Sequence, residues 1–305
     1  MKNQPALNWL VPLIAILGAI TAGVGLFTAE GPGSFSFTTI HDNTVEMYGQ
    51  GLYHNDSLFA GALFRGTDAA TLFISIPLLV VSYWFSRRGS MRANIFMIGV
   101  LMYFLYLGSS YTFSVAFNSL FLIYIMLFSA SLFATIVTLT GFDRARLANE
   151  ISAQFPHRGI AMFMFVAGLG TLMLWISELI GPLMKGQAPV NLGPYTTMFT
   201  HGFDSGVITP ATVITGVYIL KRKPVGYLLA APLMILCTQI GIVVITQTIS
   251  QALVGIVFPI GVYIGMVGSW VVMGAFAISL TISFFRNLSE SKASPETLRP
   301  ARALS

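Results

Sequence analysis

The sequence predicts an all-α integral membrane protein of eight transmembrane helices, built as a parallel 4+4 internal duplication with both termini cytoplasmic. Three observations carry this reading. The 305-residue chain is 55% hydrophobic and 9% charged, where soluble domains are roughly a quarter charged. Its apolar runs of about 20 residues match the hydrocarbon thickness of a bilayer and are too uniformly apolar for barrel strands. Basic residues segregate to one side of those runs, and an acidic residue opens a long apolar run twice.

Taken in order, the spans are 8–27, 69–86, 94–113, 119–141, 159–181, 205–220, 225–248 and 257–285. The first follows Lys2, and its apolar stretch of about 19 residues exceeds the 7–15 of a signal peptide, so it is read as a retained helix. The second is headed by Arg65-Gly66-Thr67-Asp68 and closed by Arg87-Arg88. The third turns polar at its end (Ser109-Ser110-Tyr111-Thr112), and the fifth carries Trp175-Ile176-Ser177-Glu178. The sixth is headed by His201-Gly202-Phe203-Asp204 and closed by Lys221-Arg222-Lys223. The seventh ends in Thr246-Gln247-Thr248, and the eighth holds Gly261-x-x-x-Gly265, a spacing that suits close helix packing. The corresponding units are 1–150, 151–288 and a polar tail, 289–305, expected to be disordered.

With the N-terminus inside, 14 of the 16 Lys and Arg residues fall on the cytoplasmic side, and only Arg65 and Lys185 lie outside. Adding or dropping one span would scramble this separation, so it supports the even count. The acids Glu30, Asp42, Glu46, Asp56, Asp68, Glu178 and Asp204 lie at the outer face, with His41, His54 and His201. The net charge of +5 therefore follows topology, and the bilayer, not nucleic acid, is the implied partner. Cys237 is the only cysteine, which excludes an internal disulfide or a dithiol centre. Neither a phosphate-binding loop nor a dinucleotide fingerprint occurs, so the sequence shows no nucleotide site.

The duplication rests on matched features. Pro77 and Pro210 follow Asp68 and Asp204 inside their runs. Before each Asp stands an aromatic-Thr-Thr-aliphatic tetrapeptide, Phe37-Thr38-Thr39-Ile40 and Tyr195-Thr196-Thr197-Met198. The first copy carries an extra segment, about 46–67, between tetrapeptide and Asp. Its end, 57–64, reads as a short amphipathic helix lying across the outer mouth through Leu58, Phe59, Leu63 and Phe64, as a lid or as a structural plug.

Asp68 and Asp204 can be read as helix N-caps or as paired carboxylates facing a central site. Around them the candidate substrate- or ion-binding residues are Glu178, Tyr48, Tyr195, Gln239 and Gln247. Glu178 suits either the lipid interface or a cavity, and the two Gln residues suit interhelical hydrogen bonds or a polar path. His54, Asp56, His201 and Asp204 form a candidate divalent-metal set of mixed nitrogen and oxygen donors, without a diagnostic spacing.

The runs Tyr48-Gly-Gln-Gly-Leu-Tyr53, Arg-Arg-Gly-Ser-Met-Arg at 87–92 and Asp204-Ser-Gly-Val-Ile-Thr-Pro210 resemble a family of bacterial multi-pass, about eight-helix membrane proteins of unknown function. The resemblance implies a bacterial cytoplasmic membrane and imports no activity or site residue. Three functions stay open: a small-solute or ion transporter with an outward polar site between the halves, a membrane enzyme with an outward, metal-assisted site, and a sensor, assembly or structural protein.

Overall fold

Where the sequence places eight apolar runs, the computed structural model, which describes residues 4–289, has eight helices long and apolar enough to cross a membrane. They are α1 (Leu7–Phe27), α2 (Leu58–Arg87), α3 (Met91–Phe113), α4 (Phe121–Thr140), α5 (His157–Met184), α6 (Phe199–Leu220), α7 (Pro224–Leu253) and α8 (Ile260–Arg286). Lys2 and, apart from Ser289, the polar tail lie outside the described residues. Large apolar side chains cover the outward faces, among them Phe73, Leu122, Met173 and Phe276, each more than half exposed. Water does not tolerate such a continuous coat, whereas lipid does.

The main departure from expectation is at α2. Residues 57–64 do not form a separate helix across the mouth; they are the first turns of a single 30-residue helix. Ser57 is its N-cap, with Oγ accepting from the Ala60 N–H at 3.2 Å. Asp68 is thus the eleventh residue of α2 and Asp204 the sixth of α6, and neither caps a helix. Gly66, with Arg65 beside it, makes this stretch look like the end of a short helix. It reads as chain punctuation, yet a Cβ there would sit 2.4 Å from the Gln247 Cα, so this glycine lets α2 and α7 approach backbone to backbone.

Both acid-bearing helices contain one wide π turn, Thr71–Ser75 in α2 and Asp204–Ile208 in α6. Each turn ends two residues before a proline, Pro77 or Pro210. Proline lacks an N–H, and its ring crowds the carbonyl four residues back. A widened turn accommodates the ring without breaking the helix.

The most buried helices are α3 and α7, at 67% and 61% of their apolar windows, so these two form the centre. In one unit α1 packs on α2 and α4, and α3 packs on α2 and α4. In the other, α6 packs on α5 and α7, and α8 packs on α7. The units meet where α7 lies against α2 and α3. α1 and α4 pack along one another, whereas α5 and α8 barely touch.

The segment between α1 and α2 covers one end of the bundle. It holds an antiparallel hairpin, β1 (Phe35–Thr38) and β2 (Thr44–Met47), in register Phe35↔Met47 to Thr38↔Thr44. At the opposite, basic end a short helix (Arg144–Asn149) links the units, and Arg92 donates to the Leu288 carbonyl at 2.6 Å.

Replacing Gly66 with Ala should push α2 from α7 and lower stability by about 1–3 kcal/mol, the usual cost of overpacking. Gly170 has open space around it. Gly170→Ala should leave the midpoint of a thermal melt in detergent unchanged, and equal effects of the two substitutions would contradict the packing role.

Candidate functional site

Two carboxylates lie inside apolar helices, and each is solvated by aromatic donors. Asp68 is fully buried. Its Oδ2 accepts the Tyr53 hydroxyl at 2.6 Å and its Oδ1 the Tyr111 hydroxyl at 2.7 Å. Space for the acid comes from α1, since a Cβ on Gly25 would lie 2.0 Å from Oδ2. Phe64 wedges between the two tyrosines, 5.4 Å from the Tyr53 ring and 5.8 Å from that of Tyr111. Burial, then Asp68, pushes the Tyr53 phenol well above its ordinary range, which keeps it a donor.

Arg65 stands one turn before Asp68, and its guanidinium donates to the Tyr48 hydroxyl at 2.7 Å and the Leu26 carbonyl at 2.8 Å. The neighbouring Thr67 bonds to α7, where the Gln247 amide donates to its Oγ1 at 2.9 Å. Two turns down α7, Gln239 is buried, and neither of its amide atoms has a protein partner among the described residues.

Asp204 is 4% exposed. The Trp175 indole donates to its Oδ2 at 3.0 Å, and the Tyr106 hydroxyl faces it from α3. One turn before it stands a histidine where α2 has Arg65. The His201 ring packs on Trp175 with centroids 4.1 Å apart, and its Nε2 lies 3.0 Å from Glu178 Oε2. Glu178 also accepts from the Asn191 amide at 2.7 Å and is partly open to the surface. A chain of polar groups therefore runs from the hairpin end of the bundle down to Asp204.

Below Asp204 is a cavity of about 50 Å³, whose lining includes Tyr106, Met164, Thr171, Asp204, Cys237 and Trp270. It has room for roughly three waters. The lining comes from α3 and from α5 to α8, with nothing from α1 or α2. Asp68 and Asp204 therefore do not share this cavity.

A third acid, Asp56, is also fully buried, under the hairpin end. Its Oδ1 accepts the Ala116 N–H at 3.0 Å and the Tyr195 hydroxyl at 2.9 Å. Its Oδ2 has no partner among the described residues. These two bonds pin the α1–α2 segment to the α3–α4 turn and to the α5–α6 loop. Burial raises the Asp56 carboxyl to about 6, against the pull of both hydrogen bonds, and raises the Tyr195 phenol as well. A groove of about 310 Å³ beside this pin is lined by Asn55, Ser114, Phe117, Tyr195 and Thr197.

The four residues read as a metal set are held in separate places. His54 tilts against Phe35 at 5.6 Å, Asp56 bonds Tyr195, His201 faces Glu178, and Asp204 takes the Trp175 indole. Among the described residues no three His, Cys, Asp or Glu side chains converge to hold an ion. The sequence reading missed Tyr53, Tyr106, Tyr111 and Trp175 as partners of the acids. Tyr111 and Trp175 lay in stretches noted for polarity, but no spacing pointed Tyr106 of α3 toward an acid on α6.

The Asp56 carboxyl binds its proton more tightly folded, at about 6, than unfolded, near 3.8. Between those values the folded state holds more protons, so this group makes stability fall as pH rises, by about 3 kcal/mol at most. Thermal melts from pH 4 to 7 should show a smaller decline for Asp56→Asn than for the wild type, and identical slopes would remove Asp56 from that role.

Comparisons with protein-family models, with curated proteins and with solved structures return no match.

Proposed function

We propose that this chain is a multi-pass membrane protein that moves a small solute or ion across the bilayer, with Asp68 and Asp204 as its coupling carboxylates. The observation that carries the proposal is the solvation of the two acids. Each is buried within an apolar bundle and hydrogen-bonded by neutral aromatic side chains. Neither acid forms an ion pair among the described residues, and Arg65, one turn from Asp68, bonds Tyr48 and the Leu26 carbonyl instead; a buried charge so placed is costly and takes up a proton or a cation. Intramembrane acids of this kind mark ion and substrate routes.

The wide turns support motion. In both acid-bearing helices the regular hydrogen-bond ladder is interrupted just before a proline, where a helix bends most easily. The acids also sit at similar heights, ~28 Å above Arg87 and ~25 Å above Lys221 by helical rise. Together with the matched order of helices, this favours a parallel 4+4 duplication about an axis along the membrane normal. The basic residues at the end opposite the hairpin favour a cytoplasmic side for that end and for both termini. The membrane is then the cytoplasmic membrane of a bacterium, as the family resemblance implies, with Asp68 and Asp204 near its outer side.

Protein reconstituted on a solid-supported membrane should give transient currents on jumps of pH or of a transported cation. Asp204→Asn should abolish the currents while keeping the wild-type melt, because amide and carboxylate have the same shape. Undiminished currents in the Asp68→Asn/Asp204→Asn double variant would overturn the proposal.

A further inference from the structure

We infer that the cavity beside Asp204 binds a small organic ammonium ion, of about methylammonium to dimethylammonium size. This rests on the reading of Asp204 as a solute site and adds the chemical class of the solute. The lining selects it by elimination. Among the described residues Asp204 is the only formally charged one in the wall, and no Lys, Arg or His lines it, so an anion finds no partner. A wholly apolar guest would leave the carboxylate without a counter-charge.

A bare metal ion is served no better. Besides the carboxylate, the wall offers the hydroxyl oxygens of Tyr106, Thr171 and Thr212. Thr171 and Thr212 direct their protons to helix carbonyls, at 2.8 Å to Ala167 and 2.8 Å to Thr209. Hard divalent cations take six or more oxygens at short range, and the carboxylate and three hydroxyls of these side chains fall short of that number.

An alkylammonium ion uses what is present. Its N–H groups reach the carboxylate, and its methyl groups meet Tyr106, Phe163 and Trp270, with Met164 and Met273 filling the gaps. Aromatic faces attract alkylated ammonium groups through the ring quadrupole. The volume sets the size: about 50 Å³ holds up to about three heavy atoms at the space one water needs. The cavity borders the α5–α8 seam. Phe163 and Ala167 on one side and Trp270 and Met273 on the other line the cavity where these two helices barely touch.

The test uses full-length protein in detergent, melted in ammonium, methylammonium, dimethylammonium, tetraethylammonium, sodium and potassium chlorides at one ionic strength. Methylammonium and dimethylammonium should raise the midpoint saturably, and sodium, potassium and tetraethylammonium should not. Asp204→Asn should abolish the rise. Ala167→Leu, which fills the cavity without touching the acid, should abolish it too, so a folding defect in one variant leaves the other decisive. Trp270→Leu should raise the half-saturating concentration about tenfold.

Equal stabilisation by sodium or potassium overturns the inference, as does a methylammonium effect that survives both Asp204→Asn and Ala167→Leu. Uptake of radiolabelled methylammonium into proteoliposomes separates the two levels. Binding without uptake supports the ammonium site while counting against transport. Asp204-dependent proton currents with no ammonium effect overturn the ammonium site and leave transport standing.

Discussion

A carboxylate inside an apolar helical bundle has no water to solvate it, and much of this architecture follows from how two such groups are accommodated. For Asp68 the protein supplies two phenols and a glycine gap in α1. For Asp204 it supplies one indole, one phenol and a cavity. An unsatisfied carboxylate in such surroundings costs several kcal/mol. The aromatic donors therefore constrain where α3, α5 and the α1–α2 segment lie relative to the acid-bearing helices.

The two units answer the same constraint differently. The first closes over its acid: Tyr53 reaches in from the α1–α2 segment, and α1 seals against α4. In the second, no segment comparable to the hairpin intervenes, and α8 stands away from α5. Asp68 is thus sealed under the α1–α2 segment, while Asp204 has a void beside it. The α7 contact with α2 and α3, made close by Gly66, couples the two. Function, on this view, lies in the difference between the units.

Much of the fold was legible in the sequence, because span length and apolarity follow directly from bilayer thickness. All eight apolar runs correspond to helices, most displaced by a few residues. The error at α2 has a local cause. Gly61, Arg65 and Gly66 make residues 58–67 look like a loop or a surface helix, yet they are packing features: Gly61 admits the Tyr48 ring, and Arg65 is spent on Tyr48 and Leu26. The recurrence of Asp68 and Asp204 in two apolar helices was legible in the sequence. Their partners were not, because contacts such as Tyr106 with Asp204 join residues about a hundred positions apart with no periodic signature.

The chain carries its own reporter for the central claim, since Cys237, its only cysteine, is partly accessible and lines the cavity below Asp204. The most direct measurement is the rate at which Cys237 is modified by a small cationic methanethiosulfonate and by an anionic one, in wild type and in Asp204→Asn. The expected result is faster modification by the cation, slowing when methylammonium is present, with the preference lost in Asp204→Asn. Equal rates for the two reagents in the wild type, or a cation preference untouched by Asp204→Asn, would contradict a carboxylate-controlled cavity.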